Sequence, residues 1–162
     1  MLDFDGDGWL DLYFVNGAAI SDPMPAGKQP DKSDPRFWNR LFRNNRNGTF
    51  TDVTEKAGVK GHSYGMGVAV GDYDNDADLD LYIAALAGKP GRNLLFQNQG
   101  TGDFVEVGAV AGVDSGSYSR AAMWGDFDND GDLDAYVVRD LSGFDRYYRN
   151  NADGTFTRIT TG

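Results

Sequence analysis

Asp3-Phe-Asp-Gly-Asp-Gly-Trp-Leu-Asp11 opens the chain, and two close copies follow: Asp72-Tyr-Asp-Asn-Asp-Ala-Asp-Leu-Asp80 and Asp126-Phe-Asp-Asn-Asp-Gly-Asp-Leu-Asp134. Each copy sets Asp at positions 1, 3, 5 and 9 of a nine-residue loop. The second and third copies start 54 residues apart. A second signature trails each loop: Asn39-Arg-Leu-Phe-Arg-Asn-Asn-Arg-Asn-Gly-Thr-Phe50, then Asn93-Leu-Leu-Phe-Gln-Asn-Gln-Gly-Thr-Gly-Asp-Phe104, then Arg146-Tyr-Tyr-Arg-Asn-Asn-Ala-Asp-Gly-Thr-Phe156. Its closing Phe residues recur at 54 and 52 residues, so two independent markers keep one period. A fixed period of that length marks a repeat architecture.

Four short strands fit one repeat, read in the second as Met66 to Gly71, Leu79 to Ala84, Asn93 to Gln97 and Asp103 to Val107. These runs are β-branched or aromatic, with Gly, Asn and Asp between them. The Asn-x-Asn-Gly-Thr-Phe segments suit hairpin turns, where Asn and Gly accept positive φ. Leu10, Leu12 and Phe14 fall on one face of a strand and Tyr13 and Val15 on the other, which makes both faces apolar. A sheet buried on both faces is what a propeller blade requires. Small residues at Gly67, Ala69, Ala121 and Ala122 suit the crowded centre of a ring. The fold class is therefore all-β, a partial β-propeller of three four-stranded blades, at 1–59, 60–113 and 114–162. The first blade lacks the strand before its Asp loop and carries an insertion from Ser21 to Phe37. The matching linkers Thr54 to Val59 and Gly108 to Val113 are predicted to be a helical turn between blades. Trp38 and Trp124 read as core aromatics.

Four carboxylates in one short loop repel one another unless a cation lies among them. An array of hard oxygen donors suits Ca²⁺ better than Mg²⁺. Three Ca²⁺ sites are predicted. Their ligands are Asp3, Asp5, Asp7 and Asp11, then Asp72, Asp74, Asp76 and Asp80, then Asp126, Asp128, Asp130 and Asp134. Position 7 contributes a backbone carbonyl, from Trp9, Asp78 and Asp132. An EF-hand needs Glu at position 12, and Phe14, Ile83 and Val137 stand there instead. Position 6 must turn sharply. Gly8 and Gly131 serve it, whereas the middle loop has Ala77, which is expected to weaken that site. A turn closed only by side-chain hydrogen bonds explains one or two Asp, not four at fixed spacing three times.

The 162 residues match one repeat domain, and 40% hydrophobic content with 13% aromatics is enough for a core. Net charge is −10, and the loops hold fourteen Asp. Three divalent ions add +6 and leave −4, so the acidity reads as metal-binding charge. It excludes a basic nucleic-acid face. There is no Cys, hence no disulfide, thiolate zinc site or Cys nucleophile. No run is long enough to span a membrane. His62 is the only His and builds no zinc site. Ser63, Ser117 and Ser119 have no base partner, and the paired carboxylates are committed to the loops. No enzyme activity is expected.

Gly67-Val-Ala-Val-Gly-Asp-Tyr-Asp-Asn-Asp-Ala-Asp-Leu-Asp-Leu-Tyr82 and Leu41-Phe-Arg-Asn-Asn-Arg-Asn-Gly-Thr-Phe-Thr-Asp-Val-Thr-Glu-Lys-Ala-Gly58 resemble the FG-GAP/VCBS repeats of integrin-α-type propellers. The likeness is strongest to cartilage-acidic-protein-like propellers of the ASPIC/UnbV type. It implies Ca²⁺ held between the first two strands of each blade and an extracellular, cell-surface or periplasmic setting. It also implies adhesion or recognition of a protein or glycan. A second implied role is an accessory or catalytic part of a secreted carbohydrate-active enzyme. Propellers usually have about 4–8 blades, so three blades are expected to be a piece of a larger ring or to associate with copies of themselves through exposed end blades.

Overall fold

The structure is a computed structural model that describes residues 1–19, 31–86, 92–114, 118–140 and 144–160. Most of the insertion, residues 21–30, and Ser117 lie outside the described residues. Among the described residues, eleven strands form three antiparallel sheets. The first holds β1 (Leu12–Phe14), β2 (Arg40–Asn44) and β3 (Phe50–Asp52). The second holds β4 (Tyr64–Gly71), β5 (Asp80–Leu86), β6 (Leu94–Asn98) and β7 (Phe104–Glu106). The third holds β8 (Ser119–Gly125), β9 (Asp134–Arg139), β10 (Arg146–Asn150) and β11 (Phe156–Ile159). Each sheet is a meander, its strands adjacent in chain order. The first sheet has three strands. Of the strand that would precede its Asp loop, only Leu2 remains, bridged to Asp11.

Strands β4 and β8 open their blades, and β4 is longer than the sequence pattern suggested. Each carries a register shift, between Gly65 and Gly67 and between Ser119 and Ala121. In β4 the bulge lets the strand begin before Met66, where the pattern placed its start. The small residues are there for close approach: a Cβ on Gly67 would lie 3.0 Å from the Arg120 carbonyl oxygen and 3.5 Å from Ala121 Cα. The hairpin turns close through Asn45 N–H to Thr49 O, Gln99 N–H to Asp103 O and Asn151 N–H to Thr155 O. Here the expectation was wrong in detail. Positive φ falls on Arg46, Gly100 and Ala152 and on the following Gly48, Gly102 and Gly154, not on Asn. The Asn and Asp side chains instead accept backbone N–H groups two residues on, as in Thr49 N–H to Asn47 Oδ1 and Thr155 N–H to Asp153 Oδ1.

Two cores result. Leu2, Phe4, Tyr13, Leu41 and Val59 meet Leu81, Ile83, Leu94, Phe96 and Phe104 between the first and second sheets. Ala69, Tyr73, Tyr82 and Leu95 meet Ala135, Val137, Tyr148 and Phe156 between the second and third. Along β5, Leu81 and Ile83 enter one core and Tyr82 the other, the two-residue period of a sheet covered on both faces. The linkers form a turn at 54–58 and a short helix α1 (Gly108–Ala111). A buried tyrosine ties each linker down. Tyr13 Oη donates to Val59 O (3.0 Å) and Tyr82 Oη to Val113 O (2.8 Å), while Asn39 and Asn93 donate to the same two hydroxyls. Trp124 packs beside Tyr73, Tyr82 and Phe156 in the second core. Trp38 differs from its core reading: it lies outside both cores, with Lys60 Nζ 4.5 Å over its ring.

Tyr82→Phe keeps the packing but removes the buried hydroxyl that donates to the Val113 carbonyl and accepts from Asn93. Stability should fall by about 1–3 kcal/mol, read as a lower urea midpoint at unchanged slope.

Candidate metal centres

In a four-stranded meander, the connections from first to second strand and from third to fourth strand lie at the same end of the sheet. The Asp loop and the Asn-rich turn of each repeat therefore sit side by side.

The loop is built by its own acids. Asp3 Oδ1 accepts the N–H of Asp7 (3.0 Å) and Oδ2 that of Gly8 (2.8 Å). Asp72 holds Asp76 and Ala77 in the same way, and Asp126 holds Asp130 and Gly131. This wrap forces position 6 into the left-handed region: φ is 84° at Gly8, 75° at Ala77 and 97° at Gly131. At position 5, Asp7, Asp76 and Asp130 accept the N–H groups of Trp9, Asp78 and Asp132 at 2.9–3.0 Å.

Position 9 is the anchor. Asp11, Asp80 and Asp134 are essentially fully buried. Oδ2 of each accepts the position 2 N–H, from Phe4, Tyr73 and Phe127, all at 3.1 Å. Oδ1 accepts the N–H of Asn44, Asn98 or Asn150 in the third strand of the blade, all at 2.8 Å. These Asn residues were read from the sequence only as turn formers. Their signal was present: Asn stands six residues before the closing Phe in all three repeats.

Three acids of each loop bring carboxylate oxygens within 4.8 Å of one another: Asp3, Asp5 and Asp11; Asp72, Asp74 and Asp80; Asp126, Asp128 and Asp134. Asp7, Asp76 and Asp130, and the side chains of Asp78 and Asp132, lie outside these groups. Asp7 pairs with the Arg46 guanidinium (2.8 Å), which holds its carboxyl below the usual range. Asp132 accepts Asn75 Nδ2 across the gap between two loops (2.6 Å). The position 12 residues Ile83 and Val137 are core residues of β5 and β9, and Phe14 ends β1.

The electrostatics are those of carboxylates lacking a counter-charge. Burial, chiefly, pushes Asp80 up to about 7, and Asp74 and Asp76 add to it. Burial likewise raises Asp74, Asp11 and Asp128, with neighbouring Asp charges adding in each case. Asp5 Oδ1 and Asp74 Oδ1 are buried without any hydrogen-bond partner. A buried acceptor left unpaired is unfavourable, and both residues belong to the converging groups. The donor set is all hard oxygen, which fits a divalent cation such as Ca²⁺. When bound, the ion would supply positive charge to Asp3, Asp5 and Asp11 and to their counterparts in the other two loops.

The FG-GAP-like repeat profile matches residues 3–83 and 83–137. The chain belongs to the FG-GAP-like repeat family, and its three sheets are blades of a partial propeller. It is similar to cartilage acidic protein 1 of Homo sapiens, at 37% identity over 150 residues, 91% of this chain and 21% of that protein. It is also similar to cartilage acidic protein 1 of Xenopus tropicalis, at 34% over 85 residues, 52% of this chain and 13% of the relative. The Mus musculus protein of that name matches at 33% over 99 residues, 60% of this chain and 15% of the relative. The chain thus spans about a fifth or less of the length of these relatives.

Ala77→Gly should relieve an L-residue held at positive φ, a strain of roughly 1–2 kcal/mol, partly offset by the freer unfolded chain. Melting temperature should rise by a few degrees. Gly131→Ala should move it in the opposite direction.

Proposed function

We propose that the chain is a calcium-stabilised propeller segment acting in extracellular recognition of a protein or glycan, with no catalytic role of its own. The observation that carries this reading is the threefold carboxylate group with buried, unpartnered oxygens at Asp5 and Asp74. Calcium here is structural. It joins the loop, whose position 2 aromatic enters the blade interface, to the buried Asp that grips the third strand. The extracellular setting is supported by the likeness to cartilage acidic protein 1; extracellular modules typically bind Ca²⁺ at about 10⁻⁴–10⁻³ M. Net charge of −10 weighs against nucleic acid. No helix among the described residues is long and apolar enough to cross a membrane. The recognised partner is proposed to meet loops carried on the rigid blades.

Calorimetric titration should give three Ca²⁺ per chain. At 10 mM Ca²⁺ and a dissociation constant near 10⁻³ M, each site adds about 1.4 kcal/mol of stability. The three together should raise the melting temperature by roughly 10 °C over chelator-treated protein. Asp74→Ala should remove one equivalent. An unchanged melting curve with and without chelator would reject the calcium reading.

A further inference from the structure

The insertion lies in the connection from β1 to β2, which runs at the end of the first sheet opposite its Asp loop, and the linker into β4 reaches the same end. There Lys32, Ser33 and Trp38 meet Lys60, Gly61 and His62 around an open cleft of about 360 Å³. That volume lies within the range of small-molecule sites, roughly 300–1,000 Å³. Trp38 holds both lysines. Its Nε1–H donates to the Lys32 carbonyl (3.1 Å), and Lys60 Nζ sits 4.5 Å over its ring.

Lys32 is the unusual member. It is only 8% exposed, and its Nζ donates to Asn39 Oδ1 (2.8 Å). No acid pairs with it among the described residues. Burial alone pulls it down to about 8. An ammonium taken out of water without a counter-charge is costly. The blade closes without this bond, because Asn39 Oδ1 already accepts the Asn16 N–H (2.9 Å), as Asn93 Oδ1 accepts that of Ala85 in the second blade (3.0 Å). Gly61 approaches the same amide: a Cβ there would lie 2.7 Å from Asn39 Nδ2. The Lys32 ammonium and one wall of the cleft thus share a partner. Lys60 has only a long, exposed ion pair with Glu55 (3.8 Å). In a chain of net charge −10, two ammonium groups at one cleft are left without a short carboxylate partner.

We propose that this cleft is an oxyanion site, in which the Lys32 and Lys60 ammonium groups take one carboxylate or sulfate group of a small ligand. The anion supplies the counter-charge that buried Lys32 lacks, through charge-assisted N–H to oxygen bonds, which are among the stronger hydrogen bonds. Ser33 and His62, both exposed, line the same cleft and add a hydroxyl and a ring N–H as donors. No acidic side chain lines it, so the lining favours an anion over a cation. The site shares no residue with the Asp loops. It goes beyond the calcium reading and is tested at saturating calcium, so either can fail while the other stands.

The 3 Trp residues give separate indole N–H signals in an NMR spectrum, and Trp38→Phe identifies the one at the cleft. At constant ionic strength, sodium sulfate or sodium acetate replacing chloride should move the Trp38 signal saturably while those of Trp9 and Trp124 stay in place. A response to acetate alone assigns a carboxylate ligand, and a response to sulfate alone a sulfated one. Lys32→Met keeps the apolar stem and should weaken binding by about tenfold or more. Its melting temperature should equal or exceed that of the wild type, because an uncompensated buried ammonium is gone. Lys60→Met, at an exposed position, should weaken binding several-fold in a fully folded protein. No saturable movement with either anion overturns the proposal. So does an affinity that survives both substitutions. A lysine that only supports Asn39 gives the reverse pattern: Lys32→Met melts lower, and the wild type shows no anion response.

Discussion

The structure hangs on a buried aspartate that accepts two backbone N–H groups. Asp11, Asp80 and Asp134 each join the second residue of their loop to the third strand of their blade. A carboxylate removed from water is expensive unless its lone pairs are used, and charge-assisted bonds to N–H are among the stronger ones available. Those bonds alone leave Asp80 well above the ordinary carboxylate range. The remaining deficit is what a divalent ion among the neighbouring acids would make up.

That anchor couples the metal centre to the packing between blades. Position 2 of the loop gives its N–H to the anchor, its carbonyl to the asparagine of the next blade, and its ring to the core between them. Order in the loop and order at the junction are thus one event, shared through Phe4 at one junction and Tyr73 at the other. The asparagine is equally shared: its N–H holds the anchor while its side chain reaches two blades. Hydrogen bonds linked this way reinforce one another in a low-dielectric interior.

Much of this was legible in the sequence because the repeat states it three times. Period, strand order and the acidic positions need no tertiary information, since spacing alone places position 1 beside position 5 in a tight loop. The two-faced apolar pattern, read from Leu10 to Val15, describes β5, whereas Leu10 and Phe14 themselves are exposed. What stayed hidden depends on contacts remote in sequence. Asn98 and Phe4 are 94 residues apart, and nothing local says that a turn asparagine serves another blade. The left-handed positions at Arg46 and Ala152 were hidden too, because the Asx bonds that create them override the residues' own preference. Trp38 was misjudged since a large aromatic beside apolar strand residues looks the same whether it enters a core or lies under a lysine.

The three loops are not electrically equal, and the difference bears on why a cation fits all of them. In the first loop Arg46 sits on Asp7; the matching residues in the other turns are Gly100 and Ala152, which bring no charge. The guanidinium is half exposed, so water and salt screen it, and it reaches the rim acid alone. Asp5 Oδ1 stays unpartnered despite it, just as Asp74 Oδ1 does in the loop without an arginine. A side chain entering from solvent can neutralise the edge of such a site but not its centre. An ion small enough to sit between the position 1, 3 and 9 carboxylates would reach such an oxygen where the arginine does not, so the first loop keeps the same unpartnered acceptor as the second.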